Sequence, residues 1–304
     1  MPVKIVVLGS FNADLVTYLQ RLPTPGETVS GTRFTTGPGG KGSNQAVAAA
    51  RLGAQVTFIG RVGQDTLADI GLSLWNAEGI DSSYVQRDPQ LATGVAVIFV
   101  EAGGQNEIVV TLGSNGALSP ADVDRAEATI ASADFLMVQL ETNLDTVAYA
   151  LGVARRHHVR TMLNPAPAQP LPAALLANVD YLTPNEHELT LIAGEQDPAK
   201  AQAALLQAGA QTVVVTLGEA GARWVTADGS GQVPTYAVKV VDTVGAGDAF
   251  CAGFAVALAE GKPIEAALAF ANAVGALSVT KPGAASSMPY RGDVDAFLNR
   301  IKSS

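Results

Sequence analysis

Val241-Asp242-Thr243-Val244-Gly245-Ala246-Gly247-Asp248-Ala249-Phe250 leads an apolar strand end through two small-residue turns into a helix expected from about Ala249 to Ala259. Glycines in such a turn let backbone N–H groups approach a ligand, and a helix N-terminus favours negative charge. Asp248, at the mouth of the helix, would repel a passively held phosphate. It is well suited to taking a proton from a hydroxyl that attacks a phosphoryl group. Asp is also a favoured helix N-cap and Gly-Ala-Gly a serviceable turn, so this segment alone leaves capping open beside catalysis.

Outward from this segment, apolar runs alternate with helical patterns. Strands are expected at Lys4–Leu8, Val56–Ile59, Phe135–Val138, Thr161–Leu163, Tyr181–Leu182 and Thr212–Thr216. Helices are expected at Ser43–Leu52, Asp65–Glu78, Pro120–Ala131, Leu144–Arg155, Glu186–Ala193 and Pro198–Ala208, then near Pro263–Val279 and around Val294–Ile301. The alternation predicts an α/β three-layer sandwich, a mostly parallel central sheet covered on both faces by helices. No repeat or linker divides the chain, so a single domain over 1–304 is expected.

Two stretches break the rhythm, and they predict a small β-sheet lid built from about 14–36 and 93–111. The second holds two apolar runs flanking Gly103-Gly104, the pattern of a hairpin. Val95-Ala96-Val97-Ile98-Phe99-Val100 is apolar on both faces, which predicts cover on both sides: one closing over a substrate, the other meeting a second subunit. A central strand of the main sheet is the alternative, because buried strands look alike by periodicity.

Composition narrows the function classes. With 304 residues, 48% hydrophobic and 15% charged, the chain is not a largely disordered one. A net charge of −9 with no Lys/Arg cluster argues against a nucleic-acid surface. It leaves ATP open, because phosphate sites use local N–H groups, one or two cations and a metal. Cys251 is the only cysteine, which excludes an intrachain disulfide and fits a reducing compartment. Its apolar helix makes it a buried, inert thiol rather than a nucleophile. The first strand is not preceded by a basic-then-apolar leader, and the apolar stretch Ile264–Val279 is short and carries Asn272 in its middle. A cytoplasmic protein with no membrane partner is the expectation.

Gly37-Pro38-Gly39-Gly40-Lys41-Gly42 formally matches the dinucleotide fingerprint G-x-G-x-x-G. The context is wrong for a dehydrogenase: that fingerprint follows the first strand directly, whereas this cluster lies about thirty residues beyond Leu8. A polyol site fits better. Glycines bring backbone amides close to a small ligand, and Lys41 and Asn44 supply donors at the start of a helix. Asn12 and Asp14 follow the first strand, and Glu141 follows Phe135–Val138, at the strand ends where open α/β sheets bind ligands. Each alone could be an ordinary turn or cap residue; together they suit a molecule covered in hydroxyls.

With Gly39-Gly40-Lys41-Gly42-Ser43-Asn44-Gln45-Ala46 and Asp242-Thr243-Val244-Gly245-Ala246-Gly247-Asp248 both present, the chain resembles the ribokinase-like carbohydrate kinase family, from Val6 nearly to the C-terminus. Asn12-Ala13-Asp14, Gln139-Leu140-Glu141 and Asn164-Pro165-Ala166-Pro167-Ala168 add to the likeness. The resemblance implies ATP-dependent phosphorylation of the 5-hydroxyl of D-ribose, giving D-ribose 5-phosphate and ADP, with Mg2+. It implies Asp248 as general base and the amides of Gly245, Ala246 and Gly247 as the anion hole. Asn12, Asp14, Gly40, Lys41, Asn44 and Glu141 fall on its sugar-binding positions. Thr183-Pro184-Asn185-Glu186-His187-Glu188 contains its N-x-x-E element, which makes Asn185 and Glu188 candidates for phosphate and Mg2+. Thr216, Gly218 and Gly221 match its nucleotide loop, and Asn272 lies on a helix bordering the adenine. An activating monovalent cation, usually K+, would fall to Asp242 by side chain, to Val244, Ser278, Lys281 and Gly283 by backbone carbonyl, and to Ser287. A homodimer through the lid is implied as well.

Related acceptors (deoxyribose, fructose, a nucleoside) are the alternative within the class, and a catalytically silent sugar-binding protein is the alternative outside it. His157 and His158 are expected at an exposed helix end, where adjacent residues do not share a face and cannot pair on a metal. Trp75 and Trp224 are expected to pack.

Overall fold

The computed structural model describes residues 2–103 and 105–302. Gly104, expected at the hairpin tip, and the extreme ends of the 1–304 range lie outside them. In chain order the strands are β1 (Lys4–Leu8), β2 (Asn12–Leu19), β3 (Arg33–Gly39), β4 (Gln55–Gly63), β5 (Asp81–Asp88), β6 (Gly94–Glu101), β7 (Asn106–Thr111), β8 (Phe135–Val138), β9 (Arg160–Leu163), β10 (Tyr181–Leu182), β11 (Thr212–Thr216), β12 (Ala222–Val225) and β13 (Ser230–Val233). The helices are α1 (Lys41–Arg51), α2 (Ala68–Ala77), α3 (Pro120–Ala131), α4 (Leu144–Arg156), α5 (Ala173–Leu176), α6 (Glu186–Ala193), α7 (Pro198–Gln207), α8 (Ala246–Ala259), α9 (Ile264–Ser278) and α10 (Arg291–Lys302).

A nine-stranded sheet runs β13-β12-β11-β10-β9-β8-β1-β4-β5. It is parallel from β11 to β5, and β12 and β13 extend one edge antiparallel. The unbroken apolar strands are explained by two cores. Ile5 and Val7 of β1 face the core beneath α1, α8 and α9, while Val6 and Leu8 face the one beneath α3 and α4. Phe135 and Met137 of β8 divide from Leu136 and Val138 in the same way. A strand between two helical layers has no polar face to show. α8 is buried from Asp248 to Leu258, and at Gly253 it lies so close to α9 that a Cβ would stand 2.9 Å from Val274 Cγ2.

The interrupted stretches form a second sheet, β3-β2-β6-β7. β2 pairs antiparallel with β3 and parallel with β6, and this places Asn12 opposite both Gly39 and Gly94. The run Val95–Val100 thus belongs to the small sheet and not to the central one. Its cover is single within the chain: β6 is half-buried, whereas β7 is exposed along its whole length. Phe34, Ile108 and Val109 are exposed on the same sheet.

β5, β12 and β13 were not foreseen; they are edge or near-edge strands with polar sequences such as Asp81-Ser82-Ser83 and Ser230-Gly231-Gln232. Trp75 packs as expected, fully buried between Phe11 and Phe58, with its indole N–H donated to Ser43 Oγ at 2.9 Å. Trp224 is partly buried against the same core. His157 caps the end of α4 and pairs with Glu127 at 2.9 Å, and His158 follows at φ 58. No helix among the described residues is long and apolar enough to cross a membrane.

Candidate active site

The loop after β1 and the N-terminus of α1 are pressed together by glycines. A Cβ at Gly42 would lie 2.6 Å from Ser10 N and 2.7 Å from Gly9 Cα. One at Gly40, where φ is +86°, would lie 2.7 Å from Asn12 N. Gly40 and Gly42 therefore serve backbone-on-backbone packing in addition to the ligand approach that the sequence predicts for the cluster. Gly39 leaves room for the Asp14 carboxylate, whose oxygen would be 2.1 Å from a Cβ there.

Around this seam sit the expected sugar residues. Glu141 accepts the Lys41 N–H at 2.9 Å and the Ser10 hydroxyl at 2.5 Å, so one of its oxygens caps α1 and the other is left over. Asn12 Oδ1 accepts from Asn115 Nδ2 at 3.0 Å. Asn44 donates to Asp248 Oδ2 at 3.0 Å, while its own Oδ1 is buried with no partner, an acceptor of the kind a sugar hydroxyl would satisfy. Burial, reinforced by the neighbouring Glu141, pushes the Asp14 carboxyl up to about 7.

Asp248 stands in the first turn of α8, which starts after Gly245 in the left-handed region at φ 77. A side chain on Gly245 would be strained there and would also crowd Met288 and Ala284. The Ala246 N–H is taken by the Thr243 carbonyl at 3.2 Å. The N–H groups of Gly245 and Gly247 have no acceptor among the described residues and are the donors left for an anion. Gly247 would point a Cβ into open space, so its bareness keeps a cradle clear.

That cradle is a cavity of about 210 Å³ lined by Lys41, Asn185, Glu188, Gly245, Gly247 and Asp248, among others. Asp248 holds the Lys41 ammonium above its ordinary range against the burial that would lower it, with Glu141 and Glu188 adding to the effect. Glu188 is raised by burial and, less, by Asp248. Cys251 also lines the cavity, but burial pushes its thiol up to about 12, which makes it inert as expected.

Through Thr216, Ala246 and Gly247 the cradle opens into a cavity of about 750 Å³, sized for a nucleotide and walled by Gly218, Gly221, Tyr236, Val238 and Asn272. Gly221, at φ +91°, makes the turn after β11; a Cβ there would meet Val233 O at 2.1 Å. Asn272 donates its amide to the carbonyls of Val233 and Pro234 at 3.1 and 3.0 Å, so it holds the cavity wall with those hydrogens. Asn185 and Glu188 form a reciprocal capping box on α6, each accepting the other's N–H at 2.8 Å. This leaves one Glu188 oxygen and the Asn185 amide group for a ligand.

Behind Gly245, Asp242 accepts the N–H of Val244 at 3.0 Å and of Gly283 at 2.8 Å, joining the two segments expected to hold a cation. The Ser278 carbonyl accepts from Lys281 N at 3.3 Å, and Ser287 donates to the Ala284 carbonyl at 2.9 Å. One carboxylate with carbonyls and hydroxyls is a hard-oxygen set, compatible with an alkali cation. No cluster of three His, Cys, Asp or Glu side chains suited to a metal occurs among the described residues.

Three site residues had no role assigned from sequence. Asn115, in the turn after β7, holds Phe11 by its N–H at 3.0 Å and its carbonyl at 2.8 Å. Gln45 donates to Asp248 from below, and Gln139 donates to Gln45. Their signal lies in contacts more than 90 positions apart, which no local pattern carries.

A buried carboxylate at a helix mouth, free amides beside it, a polar pocket on one side and a nucleotide-sized cavity on the other are the parts a small-molecule kinase needs. The chain belongs to the pfkB family of carbohydrate kinases, which it matches over residues 3–291. It is 42% identical over 300 residues to the ribokinase of Haemophilus influenzae, covering 97% of this chain and 98% of that one. It is 40% identical over 301 residues to the deoxyribokinase of Salmonella typhi, with the same coverage of 97% and 98%. The structure of the Arabidopsis thaliana ribokinase complexed with ribose and ATP superposes with a TM-score of 0.90 at 33% identity, covering 98% of this chain and 99% of that one.

Proposed function

We propose that the protein transfers the terminal phosphoryl group of ATP to the 5-hydroxyl of D-ribose, giving D-ribose 5-phosphate and ADP, the ribokinase reaction. The observation that carries the reading is Asp248, which ties the sugar side to the phosphoryl cradle through its bond from Asn44 at 3.0 Å. Asn12, Asp14, Gly40, Lys41, Asn44 and Glu141 hold the sugar. Asp248 takes the proton from the 5-hydroxyl as that oxygen attacks the terminal phosphorus, and the bond to the bridging oxygen of ADP breaks. The Gly245 and Gly247 amides and the Lys41 ammonium hold the charge on the transferring group.

Thr216, Gly218, Gly221 and Asn272 border the nucleotide. Asn185 and Glu188 would hold Mg2+ or its waters, and when bound the metal supplies neutralisation of phosphate charge. A K+ ion held by Asp242, Ser287 and the carbonyls of Val244, Ser278, Lys281 and Gly283 would stiffen the Gly245–Gly247 turn from behind. The small sheet is the lid of one kinase domain, and the exposed Phe34, Ile108 and Val109 are where a second copy packs to form a homodimer.

The test is ADP release from Mg-ATP with ribose, deoxyribose, fructose and adenosine, each with and without K+. Ribose should give the highest kcat/KM, and K+ should raise it. Equal kcat/KM for ribose and deoxyribose would contradict the ribose assignment, because a site built to hydrogen-bond a hydroxyl discriminates against its absence. Sugar binding without ADP formation would contradict the kinase itself.

A further inference from the structure

Beneath Asp248 lies a chain of three buried side-chain amides, of which Asn164, 7% exposed, also lines the cavity. Asp248 is 5% exposed, Gln45 1% and Gln139 0%. Gln45 Nε2 donates to Asp248 Oδ1 at 3.1 Å and to Asn164 Oδ1 at 3.3 Å. Gln45 Oε1 accepts from Gln139 Nε2 at 2.6 Å. Asn164 Nδ2 donates to the Thr183 carbonyl at 3.1 Å.

The orientation of each amide follows from the next. A backbone carbonyl can only accept, so Asn164 must turn its NH2 to Thr183 and its oxygen to Gln45. Gln45 must then offer NH2 to both Asn164 and Asp248, and its oxygen is left for Gln139. A flipped Gln45 would place an amide oxygen against the carboxylate and against Asn164 Oδ1, two acceptor–acceptor contacts in a dry interior. The network thus has one arrangement, and it ends on the carboxylate.

We propose that Gln45 is the positioning residue of the base, with Gln139 as the group that keeps Gln45 turned toward it. Asn44 also donates to Asp248, but from the sugar side, where a bound hydroxyl competes for the same carboxylate oxygen. Gln45 approaches from the protein interior and keeps its bond whether or not sugar is present. The Gln45 bond therefore fixes the plane of the carboxylate and leaves Oδ2 to face the attacking hydroxyl. A hydrogen bond to the anion also favours the ionised, proton-accepting form. The other charged groups facing Asp248 are Lys41 from α1 and Glu188 from α6, with the neutral Cys251 thiol on its own helix.

This inference rests on the kinase reading of Asp248, and the experiment separates the two. Gln45→Met keeps the length of the side chain and removes the donor. With sugar and Mg-ATP, its kcat at neutral pH should fall on the order of tenfold, while the sugar KM stays within about threefold, since a group that orients the base acts on the chemical step. The acidic limb of its pH profile should move up by roughly one unit. Gln139→Met should shift the limb in the same direction and less, and the double variant should be no worse than Gln45→Met alone. A profile that only scales, or a loss confined to KM or thermal stability, would overturn the positioning role. If Gln45→Met does not fold, Gln139→Met carries the same test. An unsubstituted protein that turns over no sugar at all would overturn the kinase reading and with it the role of Gln45, whereas variants that keep the unsubstituted rate and profile would overturn the role of Gln45 alone.

Discussion

Replacing Asp14 by Asn should make the protein more stable and a worse sugar binder, and the size of the gain should depend on pH. Burial, followed by the neighbouring Glu141, raises the Asp14 carboxyl from 3.8 to about 7. Between these values the folded chain holds a proton that the unfolded chain has released. Stability from this group is therefore full below about pH 4 and declines as pH rises to about 7. Three units at ~1.4 kcal/mol each set a ceiling of about 4 kcal/mol. Asp14→Asn removes the titration while keeping the shape. Its advantage should be close to nil at pH 4.5 and reach a few kcal/mol at pH 8, on the order of 5–10 °C in Tm. Thermal unfolding of both proteins from pH 4.5 to 8 reads the gap, and ribose titration calorimetry at pH 8 reads the lost affinity. A gap that does not widen with pH would refute the claim that a half-buried, Glu141-facing carboxylate is held there at the expense of stability.

The glycines separate by what surrounds them. Gly42→Ala should destabilise by about 1–3 kcal/mol, because the added Cβ meets backbone atoms of Gly9 and Ser10 that cannot yield; urea unfolding measures it. Gly247→Ala should leave stability nearly unchanged, yet lower kcat on the order of a hundredfold by intruding on the cradle; paired denaturation and ADP-release assays check both halves. Cys251, buried with its thiol pushed up to about 12, should resist thiol reagents in the native protein and react once it is unfolded.

The central sheet was legible because β1, β8 and β11 are apolar on both faces and sit between helical layers. β5 and the β12–β13 hairpin escaped because edge strands carry polar side chains and these are short. At the candidate site, the strand–turn–helix marked Asp248, and their places after β1 and β8 marked Asn12, Asp14 and Glu141, which the fold gathers around one seam. The glycines of 37–42 point by pattern to a small ligand, and the structure presses Gly40 and Gly42 onto the Gly9–Asn12 backbone, a partner that no local pattern names. Asn115, Gln45 and Gln139 were silent in the role they take here, because an amide's meaning lies in its partners. Those partners come from other strands and other turns.

Turnover of Asp248→Asn with ribose and Mg-ATP, measured as ADP release beside the unsubstituted protein, tests the account most directly. The side chain keeps its shape and its remaining carbonyl oxygen can still accept from Gln45, so sugar and nucleotide should bind to a folded enzyme. Its kcat should fall on the order of a hundredfold or more, as loss of a general base requires. Near-normal turnover would mean that some other group takes the proton.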